Sequence, residues 1–198
     1  MAKINFLKFY DEYIDNLFSK LNIINKYNLQ KAAVLIEKTI KKNKNIFVCG
    51  NGGSQAIANH YVCDYFKVLA QETSLKPKIF SLCSNSELIS AISNDFSYSD
   101  VFLYQAKRLI NKDDIIIIIS SSGNSKNIIK LLKYLNKNKI KSIGFSGFKG
   151  GYLKKNCSIS IHANINNYGI SEDISHILMH ELMQYLKTKN SRKKKITL

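Results

Sequence analysis

Two histidine–carboxylate groupings and two glycine–serine loops are the parts of this sequence best equipped for chemistry. His60 and Asp64 are spaced i, i+4. On a helix that spacing puts both side chains on one face, where they can share a proton or a metal ion. Glu172, His176 and His180 continue the same step along a later segment, among Ile174, Ile177, Leu178, Met179 and Leu182. Polar groups in so apolar a row need partners. Taken singly, each grouping has an ordinary reading: a surface His–Asp pair, or a hydrogen-bonded core histidine. If the two helices face each other, His60, Asp64, Glu172 and His180 form one nitrogen–oxygen site suited to zinc or a similar ion. Spacing alone does not bring them together.

The loops are Val48-Cys49-Gly50-Asn51-Gly52-Gly53-Ser54 and Ser120-Ser121-Ser122-Gly123-Asn124-Ser125. Each follows a short apolar run, Asn45 to Val48 and Ile115 to Ile119, and each leads into helical periodicity. A strand, a Gly/Ser/Asn turn and a helix N-terminus make an anion site: backbone amides point at the ligand and small polar side chains add hydrogen bonds. Gln55 occupies the place of the third glycine of the dinucleotide fingerprint, and no glycine is followed by Lys-Ser or Lys-Thr. A phosphate ester smaller than a nucleotide is the better fit. One such loop is as readily a plain connection; two of matching chemistry favour a phosphorylated small molecule.

The elements that must position these groups follow from hydrophobic periodicity. Apolar stripes predict helices over residues 4–22 and 28–42. Short continuous apolar runs at 45–49, 78–83, 114–119, 140–145 and 157–161 suit strands buried on both faces, hence a parallel sheet. Helical patterns lie between them at 54–69, 86–93, 99–110 and 124–137, and a last helix covers 171–188. Alternation of this kind predicts an α/β fold, a doubly wound five-stranded parallel sheet flanked by helices, with two extra N-terminal helices. In such sheets ligands lie beyond the carboxyl ends of the strands, where both loops fall.

The 198 residues suit one domain with a real core, assigned to 1–188 with its N-terminal helices at 1–42. Residues 189–198 read as a basic, flexible tail around Arg192-Lys193-Lys194-Lys195. The net charge of +16 is otherwise scattered. It reads as a Lys/Asn/Ile-rich composition rather than a nucleic-acid surface, though the field attracts phosphates. Cys49, Cys63, Cys83 and Cys157 lack metal-ligand spacing and read as free thiols in a reducing compartment. No segment suits a signal peptide or a membrane span, so the chain is expected in the cytoplasm.

Cys49-Gly50-Asn51-Gly52-Gly53-Ser54, Ser93-Asn94-Asp95-Phe96, Ser120 to Ser125 and the His180 helix occur in this order. Together they resemble the sugar isomerase (SIS) domain, and within it the sedoheptulose 7-phosphate isomerases, also called phosphoheptose isomerases. The resemblance extends to about residue 188. It implies an aldose–ketose isomerase that forms D-glycero-D-manno-heptose 7-phosphate, the first step towards activated heptoses for surface glycans. It also implies a homotetramer with active sites between subunits and one zinc per subunit. Carried over by position, Asp64 and His180 are the catalytic pair. Ser120, Ser122 and Ser125 hold the phosphate and Asn51, Gly52, Ser54 and Asp95 the sugar, with Gly53, Asn94, Ser121 and Glu172 completing the implied substrate-binding set. The implied metal set is His60, Asp64, Glu172 and His180.

This chain departs from the family pattern in three places. Asp64 stands for a glutamate, Glu172 for a glutamine, and Lys67 is the cation nearest a missing arginine. Those changes keep other readings open: a non-catalytic SIS protein that binds a partner such as a replication initiator, a sugar-phosphate sensor, or an isomerase of another ketose phosphate.

Overall fold

The computed structural model describes residues 4–191, so the run Arg192–Lys195 and most of the 189–198 tail lie outside the described residues. Two helices lead, α1 (Phe6–Asn22) and α2 (Lys26–Lys41). Five strands follow: β1 (Asn45–Gly50), β2 (Lys78–Ser81), β3 (Ile115–Ile119), β4 (Lys141–Ser146) and β5 (Ile159–His162). They form one parallel sheet in the order β2-β1-β3-β4-β5. The order reverses between β1 and β3, which pair directly, with Gly50 opposite Ile119. The two loops are therefore neighbours at the switch point.

β3 shows why the sheet is buried on both faces. Ile115, Ile117 and Ile119 pack into one core with α2 and the site helices, while Ile116 and Ile118 pack into the other. All five are at most 2% exposed. Period-two alternation in an all-isoleucine strand feeds both layers at once.

The remaining helices are α3 (Gly53–Cys63), α4 (Ala70–Glu72), α5 (Ser86–Asp95), α6 (Val101–Leu109), α7 (Lys126–Lys137), α8 (Gly151–Asn156) and α9 (Tyr168–Asn190). The helix expected over 54–69 is not uniform. After Cys63 it widens into a π-helical stretch, Asp64–Leu69, before α4. Such turns re-aim side chains and recur at functional sites; here one begins at Asp64. α8 had no counterpart in the sequence reading. It starts at Gly151 after an N-cap at Gly150, both at positive φ.

α1 buries none of its residues and is held mainly along α9, where Tyr13 donates a 2.6 Å hydrogen bond to Asp173. That bond, with burial, pushes the Tyr13 phenol up to about 12. The far end of α9 is clamped to α2. Lys41 and Lys189 each approach the Glu37 carboxylate at 2.7 Å, and Glu37 is only 6% exposed. Burial alone would raise its pKa, but the hydrogen bonds from Lys189, Lys41 and Asn190 prevail and hold it at about 2, against an ordinary 4.5. The unfolded chain therefore takes up the proton first. The clamp stabilises fully above about pH 4.5 and is lost as pH falls toward about 2. Glu37→Gln is expected to cost about 1–3 kcal/mol at neutral pH. In urea unfolding the gap from wild type should narrow at pH 3; a gap that stays constant would remove the clamp from the stability account.

Candidate active site

The first loop leaves β1 at Gly50 and turns at Gly52, whose φ of +56° is left-handed backbone that a side chain would strain. Gly52 is also the residue before α3, and no side chain caps that helix. Gly53 is its first residue. A Cβ there would strike the Glu172 carboxylate, so Glu172 lies directly against the N-terminus of α3. That is a favourable place for an anion. Ser54 is buried at 4% exposure beneath the turn.

The second loop leaves β3 and is pinned from below. Ser120 donates its amide to Phe145 O (3.0 Å), and Ser121 O accepts from Gly147 N (2.9 Å). Gly123, at φ +66°, passes so close to Gly150 that no Cβ fits. Ser120 and Ser121 are each 6% exposed. The half-buried Ser122 accepts from Asn124 N at 3.3 Å through its Oγ. Ser125 precedes α7 without capping it, which leaves that helix end open to an anion.

Sequence reasoning missed the link between the loops. Asn51 and Asn127 exchange side-chain amide hydrogen bonds, Nδ2 to Oδ1, at 3.0 and 2.9 Å. Tyr98 donates its hydroxyl to Asn51 Oδ1 at 2.9 Å. Asn127 is 2% exposed. Asn51 is thus part of a fixed bridge rather than a free arm of the first loop. Asn94 and Asp95, exposed at the end of α5, bond to each other at 3.0 Å, three to four residues before Tyr98.

The titratable groups gather where α3 packs on α9. His60 Nε2 lies 3.0 Å from His180 Nε2. Asp64 Oδ2 is 3.5 Å from the first nitrogen and 3.2 Å from the second. The three atoms form a nearly equilateral triangle. In a tetrahedral zinc shell with bonds of about 2.0–2.1 Å, neighbouring ligand atoms stand about 3.3 Å apart. The three separations bracket that spacing. The Asp64 side chain is 15% exposed, those of His60 and His180 46% and 45%, so the cluster faces solvent on its imidazole side.

His176 completes the group from one turn back on α9. Its ring meets His60 edge-on at 4.8 Å and stacks on His180 at 4.5 Å. Burial, then the neighbouring His180 and His60, depress its pKa below the usual imidazole value, so the ring is neutral at pH 7. Its Nε2 is buried with no hydrogen-bond partner. Of the four residues in the implied metal set, His60, Asp64 and His180 converge; Glu172 is placed against Gly53.

A five-stranded doubly wound sheet with paired glycine–serine loops at its switch point defines an α/β domain with its ligand crevice beyond the carboxyl ends of the strands. The SIS domain family profile matches residues 9–147. A phosphoheptose isomerase of Aliarcobacter butzleri is 33% identical over 158 residues, covering 80% of this chain and 83% of the relative. One from Buchnera aphidicola is 37% identical over 134 residues, 68% of each chain. Among solved structures, a phosphoheptose isomerase from Neisseria gonorrhoeae superposes with a TM-score of 0.80 at 23% identity, covering 91% of this chain and 96% of that one. The chain belongs to the SIS domain family, with phosphoheptose isomerases among its relatives.

Proposed function

We infer that the protein is an aldose–ketose isomerase that interconverts sedoheptulose 7-phosphate and D-glycero-D-manno-heptose 7-phosphate through an enediolate. The observation that carries this reading is a carboxylate–imidazole cluster of His60, Asp64 and His180, built where α9 packs on the helix that leaves the first loop. His60 lies seven residues beyond Gly53, about 10 Å along the axis. An open heptulose phosphate is long enough to hold its phosphate in the loops and present its carbonyl end to the cluster.

In this reading Ser120, Ser121, Ser122 and Ser125 hold the phosphate with the open end of α7. Asn51, Gly52, Gly53, Ser54, Asn94, Asp95 and Glu172 serve the sugar. Isomerisation removes a proton from C1 of the ketose and returns one to C2, while the bridging oxygens carry the enediolate charge. Asp64 and His180 exchange these protons. His60, Asp64 and His180 also suit a divalent ion of the zinc type, which would take up the groups that otherwise exchange protons and would polarise the substrate oxygens in their place.

The exposed aromatic face of α1 supports a homotetramer with sites completed between subunits. Phe6, Phe9, Tyr10 and Phe18 are each more than half exposed, a set of aromatic side chains that a neighbouring subunit would bury. Replacing Phe9 and Phe18 with aspartate is expected to shift the mass in solution from tetramer to smaller species, read by light scattering. A wild-type monomer would end the proposal. No helix among the described residues is long and apolar enough to cross a membrane. The proposed substrate and product place the enzyme in the cytoplasm, upstream of heptose activation for lipopolysaccharide or capsule.

Ser122→Ala should raise KM about 10- to 100-fold through a lost hydrogen bond to a charged group, with little change in kcat. An unchanged KM would take Ser122 out of the cradle. The function itself is tested with a panel of ketose phosphates, with zinc and with chelator. Conversion of sedoheptulose 7-phosphate to the aldoheptose supports it, and conversion only of another ketose phosphate refutes the substrate assignment.

A further inference from the structure

We propose that His176 is the fourth protein ligand of the metal held by His60, Asp64 and His180, and that Glu172 is not a ligand but serves the sugar at the first loop. The proposal rests on the metal-binding reading above and changes its ligand set. Among the described residues, the group of potential ligands whose donor atoms all lie within 4.8 Å of one another is His60, His176 and His180. Asp64 joins them through its contacts to two of the three.

A buried imidazole nitrogen without a partner is a cost that a folded protein normally avoids. His176 Nε2 is such a nitrogen, on a ring that packs against the rings of both other imidazoles. A metal ion at the triangle would give it a partner once the ring turns its donor nearer, since the separations reach 4.8 Å and two ligands of one zinc stand at most about 4.2 Å apart. Glu172 needs no such partner, because its carboxylate lies against the N-terminus of α3 at Gly53. That end of α3 belongs to the loop assigned to the sugar. There the carboxylate can accept hydrogen bonds from substrate hydroxyls.

The exchange has a chemical consequence. Three neutral imidazoles and one carboxylate leave a divalent ion with net positive charge, whereas a second carboxylate would neutralise it. A divalent ion held by this set would therefore keep a net positive charge beside the substrate oxygens. Imidazole donors also suit zinc, cobalt or nickel better than magnesium or calcium.

The test is cobalt binding to the full chain, stripped with chelator and followed by its visible absorption. His176→Leu is expected to weaken cobalt binding by at least about 100-fold, since even partners that only support a ligand cost 10- to 100-fold. It should also change the band pattern. Glu172→Gln should keep wild-type affinity and spectrum while raising KM. The proposal is overturned if His176→Leu binds cobalt as wild type does, or if the loss follows Glu172→Gln instead; metal binding at the triangle then survives. Failure of the wild-type protein to bind cobalt or zinc would overturn both. X-ray absorption on the wild-type zinc form needs no variant, and it should count three imidazoles; two would refute the assignment.

Discussion

His180→Ala is expected to abolish turnover while the fold stays intact. The His180 side chain is 45% exposed, so removing it opens no core cavity. Its neighbours Leu178, Met179 and Leu182 continue to hold α9 on the sheet. What disappears is the imidazole 3.2 Å from Asp64 Oδ2 and 3.0 Å from His60 Nε2. General acid–base catalysis by one group contributes about 10²–10⁴-fold. A loss of at least that size in kcat, with unchanged far-ultraviolet circular dichroism, is the expected outcome. Near-wild-type turnover in the variant would refute the assignment of His180.

Asp64→Asn should be as damaging for a different reason. The amide keeps the shape of the side chain but loses its charge and its ability to accept a proton. One of its atoms then faces the two imidazole nitrogens with an N–H instead of an oxygen. Expected are a kcat lower by about 10²–10⁴-fold and a loss of zinc binding, measured by isothermal titration. A lengthened side chain tests placement: Asp64→Glu pushes the carboxylate into imidazoles already 3.2 and 3.5 Å away. Misplacement by about 1 Å can cost about 10²-fold, so the longer carboxylate should lower kcat. If Asp64→Asn turns over normally, the proton path must lie elsewhere.

Much of this architecture was legible before any coordinates. Continuous apolar runs such as Ile115–Ile119 announce strands covered on both faces, and the turns that follow announce ligand loops. The i, i+4 spacing of His60 and Asp64 placed both on one helical face. What periodicity cannot express is which helix lies against which. The convergence of His60 with His180 depends on α3 packing on α9, a contact between residues 120 positions apart. The same packing turns His176 into a neighbour of His60 and sets Glu172 against Gly53, although the sequence shows Glu172, His176 and His180 as one regular row.

Two further features have no local sequence signature. The π-helical stretch beginning at Asp64 is a change of backbone register within residues whose periodicity still reads as helix. The Asn51–Asn127 bridge joins loops that become neighbours only because β1 and β3 pair in the sheet. The glycines and serines signalled a ligand; the asparagine bridge and Tyr98, which hold the first loop in place, are tertiary facts.

Isomerisation of sedoheptulose 7-phosphate in deuterium oxide, followed by proton NMR of the aldoheptose, tests the central claim most directly. An enediolate reprotonated by Asp64 and the half-exposed His180 gives a product carrying deuterium at C2. Absence of product, or protium moved intact from C1 to C2 in every molecule, would contradict it.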